Sequence, residues 1–191
     1  WMKDIIQIAK GWGSNETNFF QTRLDEYKVD VTGEQLGYNV IEEFQDLAGS
    51  IPTNQENNYQ ANPNVQTRLE DGLAMITYFG HSAPKVNYWQ FDMQHPSNYN
   101  NEGKYPFIYT NSCFVGKMND FFDKTCMAED YTLADNGGSI GFLAGVALSS
   151  PSFLHLFTSK FMKNISTDHF GSSIGQNIKN TIADIYNPND D

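Results

Sequence analysis

Two side chains in this sequence could do covalent chemistry, and each follows a hydrophobic run. AMITYFG leads straight into His81, and PFIYTNS leads straight into Cys113. A thiolate can attack a carbonyl carbon, and an imidazole can hand a leaving amine its proton. Turns just after strand ends can also aim backbone N–H groups at a developing oxyanion. Each such donor is worth roughly 2.7–4 kcal/mol when a comparable one is removed. The two residues are 32 positions apart, room for one loop and a return to a neighbouring parallel strand. Spacing alone leaves a plainer reading open. Free cysteine is among the most buried residue types, and a histidine at a strand end is commonly a packed, hydrogen-bonded one.

The elements that must position this pair can be read from the pattern. Strands are expected at Asp4–Ala9, Gly37–Glu43, Gly72–Gly80, Pro106–Ser112 and Gly137–Gly145. They are short, near-continuous apolar runs bounded by Gly, Pro or Asn, as in strands covered on both faces. Helices are expected at Asn15–Tyr27, with Phe19, Phe20 and Leu24 on one face, and at Asn64–Glu70 and Asn119–Ala134. Two more are expected at Pro151–Asn164, opened by Ser-Pro as cap and first turn, and at Ser172–Ile185. This alternation predicts a mostly parallel sheet with helices on both faces. Active sites in such sheets lie at the carboxyl ends of strands, which directs attention to the residues after Phe79 and Thr110.

Bulk properties set the bounds. The 191 residues suit one domain with one core, and 39% hydrophobic content exceeds what a disordered chain carries. The formal charge is −11 and the 12 basic residues are scattered, which argues against a nucleic-acid surface. No apolar run approaches the roughly 20 residues needed to span a bilayer. Two cysteines, Cys113 and Cys126, are too few for a disulfide scaffold, although one bridge between them stays open. No CxxC, HExxH or EF-hand loop is present, so no metal site is legible. The chain opens on Trp1 without a signal-peptide pattern, and we read it as a segment of a longer protein, so missing targeting signals carry no information.

The strings GLAMITYFGHSAP and YPFIYTNSCFVG resemble the gingipain family of cysteine peptidases, in the clan of caspases and legumains. That clan's pattern is a hydrophobic strand ending in His-Gly and a second ending in Ala-Cys or Ser-Cys. The resemblance extends to WMKDIIQIAKG at the start, to Cys126–Gly145 and to Ser172–Ile182, and so covers most of the chain. The loop HSAPKVNYWQFDMQHPSNYNNEGKYPF looks closest to the type IX secretion sortase branch of the Bacteroidetes. The resemblance implies a three-layer α/β/α caspase-like fold, with residues 1–191 as one catalytic subdomain. It also implies a polypeptide substrate, secretion-system partners, a secreted or outer-membrane setting and no required cofactor, with structural calcium as a family feature.

Carried over residue by residue, the resemblance makes Cys113 the nucleophile and His81 the general acid and then base. The oxyanion donors become the backbone N–H groups of Cys113 and Ser82. The family has Gly where Ser82 stands, and a donor survives that change only if the local φ is allowed for serine. The family's orienting acid falls, by counting, on Trp12, which cannot fill the role. Glu16, four residues on, could reach back to His81, or could simply be a helix-start carboxylate facing the dipole. Trp89 falls where the family sets an aromatic against substrate, and reads equally as a core or loop anchor. Cys126 reads as a buried small hydrophobe, and His95, His155 and His169 as surface or packing residues.

Two other readings compete. Gly80-His81-Ser82-Ala83-Pro84 imitates a G-x-S-x-G nucleophile elbow with Ser82 as nucleophile, but the last Gly is Pro84 and no helix is written after it. A peptidase-like fold serving as an inactive binding module would account for Ser82 and for the missing acid at position 12.

Overall fold

A computed structural model describes residues 2–46, 63–82, 93, 95–118 and 125–186 of the chain. Five strands run in chain order: β1 (Asp4–Gly11), β2 (Asn39–Asp46), β3 (Met75–Gly80), β4 (Phe107–Asn111) and β5 (Gly141–Ala144). They form one sheet in the order β2-β1-β3-β4-β5, and every pairing is parallel. The helices are α1 (Ser14–Thr32), α2 (Pro63–Asp71), α3 (Met127–Thr132), α4 (Pro151–Lys163) and α5 (Ile174–Ile185). A π-helical turn, Asn164–Asp168, prolongs α4.

The three inner strands, β1, β3 and β4, are largely apolar because helices cover both faces. Ile6, Ile8, Ile76, Tyr78 and Ile108 face Val65 and Leu69 of α2 and Met127 and Tyr131 of α3. Ile5, Ala9, Met75, Phe79 and Tyr109 face Phe20, Leu24, Tyr27 and Val31 of α1 and Phe161 and Met162 of α4. The fold is therefore the expected three-layer α/β/α arrangement around a parallel sheet. The two edge strands are less buried: all four residues of β5 are half-buried, and residues 39–43 of β2 are half-buried or exposed.

The structure amends two details. Phe19 is 39% exposed, because the buried stripe of α1 is Thr17, Phe20, Leu24, Tyr27 and Val31. The helix expected from Asn119 is placed at Met127–Thr132; Cys126 has extended backbone and caps it, with Glu129 closing a capping box. Residues 119–124 lie outside the described residues. At α4 the Ser-Pro start holds: Ser150 Oγ accepts the Phe153 N–H at 3.3 Å, and Pro151 occupies the first turn.

Candidate active site

The last rung of the β3–β4 ladder pairs Phe79 with Asn111. That is the same 32-residue offset that separates His81 from Cys113, so both leave the sheet side by side at its carboxyl edge. The two loops touch: the Ser82 hydroxyl donates to the Cys113 carbonyl. The loop after β5 closes the far side. Phe114 N–H donates to the Ala147 carbonyl at 3.3 Å, and Gly116 N–H donates to that of Gly145 at 3.0 Å. Cys113 is a free, half-buried thiol whose sulfur lies 3.8 Å from the Ser149 carbonyl. The residue after it, Phe114, has φ +62°, a left-handed conformation that a bulky residue adopts only where its surroundings impose it.

His81 is held from the other side by α1. Its Nε2 lies 2.9 Å from Glu16 Oε1, while Glu16 Oε2 accepts the Trp12 N–H at 2.7 Å. The carboxylate thus satisfies both oxygens in two different directions, which fixes its plane and leaves Nδ1 of His81 for other partners. The contact depends on a missing Cβ. One added at Gly11 would come within 2.5 Å of Thr17 N and 2.8 Å of Glu16 Cβ, so only glycine lets α1 start this close to the end of β1. The Gly11 N–H then donates to Thr17 Oγ1 at 3.0 Å, which explains a threonine on the buried stripe. Around the imidazole, the Trp12 ring centroid lies at 4.9 Å, and Phe20 presents an edge at 5.9 Å while stacking on Phe79. The Tyr78 hydroxyl donates to the His81 carbonyl at 2.7 Å.

The sequence-derived candidates fall out as follows. Cys113, His81, Ser82 and Glu16 meet at one sheet edge. Glu16 stands in the first turn of α1 and reaches His81. Trp12 cannot be the acid, yet it contributes a backbone donor and a ring, a part that residue type alone did not signal. Among the described residues only Phe114 and Asn136 carry positive φ without being glycine, so Ser82 replaces Gly at no backbone cost. Neither the Ser82 nor the Cys113 N–H donates to a described residue. The Ser82 hydroxyl meets a carbonyl rather than an imidazole, which does not suit a serine nucleophile. Trp89 lies outside the described residues.

The remaining candidates lie elsewhere. Cys126 is buried, and burial pushes its thiol up. His155 has partners that the sequence did not suggest: its Nδ1 meets the Tyr27 hydroxyl at 2.9 Å and its Nε2 faces Glu26 at 3.5 Å. His95 accepts from Ser97 N–H at the start of a short 3-10 turn. Among the described residues no group of three or more His, Cys, Asp or Glu side chains is placed to hold a metal ion.

A parallel three-layer sheet carrying a thiol beside a carboxylate-paired imidazole at its carboxyl edge is the layout of the caspase-like cysteine peptidases. The chain belongs to peptidase family C25, whose model matches residues 1–191. Among solved structures it is similar to the Arg-specific cysteine proteinase gingipain R (RgpB), with a TM-score of 0.64 and 17% identity over 98% of this chain and 43% of that one. It is likewise similar to a complex of the Porphyromonas gingivalis RgpB pro- and mature domains, with a TM-score of 0.62 and 18% identity over 97% of this chain and 44% of that one. The chain therefore spans less than half the length of these gingipain chains. No curated protein matches it.

Proposed function

We propose that this chain is the catalytic subdomain of a cysteine endopeptidase that cleaves peptide bonds through a Cys113 thioester. In this reading the Cys113 thiolate attacks the scissile carbonyl, and His81 gives the leaving amine its proton. The same imidazole then takes a proton from water, whose oxygen breaks the thioester and frees the acid. Glu16 orients the imidazole, and the N–H groups of Cys113 and Ser82 receive the oxyanion. Trp89 packs against substrate. One observation carries the reading: Glu16 reaches His81 across 65 residues of sequence, at the same sheet edge where Ser82 joins the Cys113 loop.

The finer assignment follows from the sequence resemblance. The protein acts as a secretion sortase on exported polypeptide cargo, at the cell surface or outer membrane, in company with secretion-system components. The inactive-module alternative drew on Ser82 and on the absent acid. Against it, Ser82 is not among the residues with positive φ, and Glu16 Oε1 lies 2.9 Å from His81 Nε2. The test is Cys113→Ala in the full-length protein. Cleavage of a denatured protein substrate should fall to background, and undiminished cleavage rejects the mechanism.

A further inference from the structure

Behind the nucleophile lies a buried polar hub. Thr158 of α4 is wholly buried, and its hydroxyl meets three partners at 2.7 Å: the Tyr109 hydroxyl, Asn111 Oδ1 and the Leu154 carbonyl. Tyr109 and Asn111 alternate along β4, so both point toward α4. Asn111 is the last residue of β4 and stands two positions before Cys113. Its ladder partner Phe79 stands two positions before His81. The same helix begins at Ser150, immediately after the Ser149 carbonyl that faces the Cys113 thiol at 3.8 Å. α4 thus touches the nucleophile segment at the residue that ends the strand, and the loop that leads into α4 touches it at the sulfur.

The hub's valence is demanding. A hydroxyl has one proton and two lone pairs. The proton can go to Leu154, one turn back on the helix, and Tyr109 can donate to one lone pair. With Oδ1 toward Thr158, Asn111 Nδ2 is buried without a partner among the described residues. Half a turn of the amide sets Nδ2 on the second lone pair and completes the valence of the Thr158 hydroxyl. A hydroxyl with its proton and both lone pairs engaged fixes distance and direction, whereas an apolar contact between α4 and β4 would tolerate sliding.

We propose that Thr158 is a positioning residue. Its hydroxyl, through Asn111 and Tyr109, locks the carboxyl end of β4 against α4 and so holds Cys113 between the His81 loop and Ser149. The inference rests on Cys113 being the nucleophile. It is tested by iodoacetamide alkylation of Cys113, read by peptide mapping in the full-length protein, with Cys126 as internal reference. Thr158→Val keeps the shape and removes the hydroxyl; Thr158→Ser keeps the hydroxyl and loses a methyl. Thr158→Val should slow Cys113 about tenfold, the scale expected for a displaced reacting group. Thr158→Ser should stay within about twofold of the parent, and Cys126 should not change in either. Packing alone predicts the opposite order, because serine leaves a small cavity and valine does not. An unchanged Cys113 rate in folded Thr158→Val overturns the proposal. Should that variant not fold, Tyr109→Phe carries the test: a slowed Cys113 supports the hub and an unchanged one overturns it. A parent in which Cys113 is no more reactive than Cys126 removes the nucleophile assignment and the hub with it. A reactive parent Cys113 with an indifferent Thr158→Val removes the hub alone.

Discussion

At the scale of single residues, the site turns on two places where a Cβ cannot fit. At Gly11 the start of α1 presses on the end of β1, and at Gly80 a Cβ would collide with the Tyr78 hydroxyl and the Lys10 carbonyl. These close approaches bring Glu16 to His81 and set the path of the chain out of β3. Gly11→Ala must push the helix start away, since the obstructing atoms include backbone. We expect about 1–3 kcal/mol of lost stability, the usual range for overpacking. Cys113 alkylation should slow in parallel, because Glu16 is displaced. Glu16→Gln keeps the shape and the Trp12 contact but removes the carboxylate's charge from His81. Turnover in the full-length protein should fall roughly 10–100-fold with an unchanged melting curve, in line with the sensitivity of such sites to misplacement. Full activity in Glu16→Gln would leave a dyad of His81 and Cys113 acting without an orienting acid.

At the scale of elements, α1 and α4 share the face of the sheet on which Asn111 lies, and Tyr27 and His155 clasp them together. Burial raises the Tyr27 hydroxyl well above its ordinary range, so it stays neutral beside His155 Nδ1. Burial, helped by the Arg23 charge, holds His155 below its ordinary value of 6.5. In the unfolded chain His155 takes up its proton near that value; in the folded protein it does so only at lower pH. Stability from this group is therefore present above pH 6.5 and is lost as pH falls through that value toward the folded one. Melting temperature should drop between pH 7.5 and 5.5, and the drop should shrink in His155→Gln. Tyr27→Phe should cost about 0.5–1.5 kcal/mol, the net worth of one hydrogen bond. An equal pH response in His155→Gln would assign the effect to other groups.

The same scale shows what the sequence carried and what it did not. The strands leading to His81 and Cys113 were legible because each is a mostly apolar run that ends just before the reactive residue. The helix start at Ser150-Pro151 was legible because the cap is written in local residue types. Glu16 as His81's partner was only half legible. Counting along β1 leads to Trp12, and the reach from Glu16 depends on Gly11's missing side chain, which no spacing rule encodes. Phe19 was misplaced because Thr17, a polar residue, joins the buried stripe by accepting the Gly11 N–H. Likewise the Tyr27–His155 clasp links residues 128 positions apart, beyond any local pattern.

At the scale of the whole molecule, the groups of the proposed site come from separate parts of the architecture. Glu16 belongs to the first helix, His81 and Cys113 to the two central crossings, and Ser149 to the loop after the edge strand. A reactive Cys113 therefore reports that the entire sheet has assembled, while Cys126, buried at the cap of α3, reports only local packing. Alkylation by iodoacetamide near neutral pH, mapped by mass spectrometry in the native protein and in His81→Ala, measures both at once. The account predicts that Cys113 reacts at least about tenfold faster than Cys126 and that His81→Ala removes most of that advantage, as expected for an activated thiolate. Equal labelling of the two cysteines in the folded protein, or a Cys113 rate indifferent to His81→Ala, would contradict it.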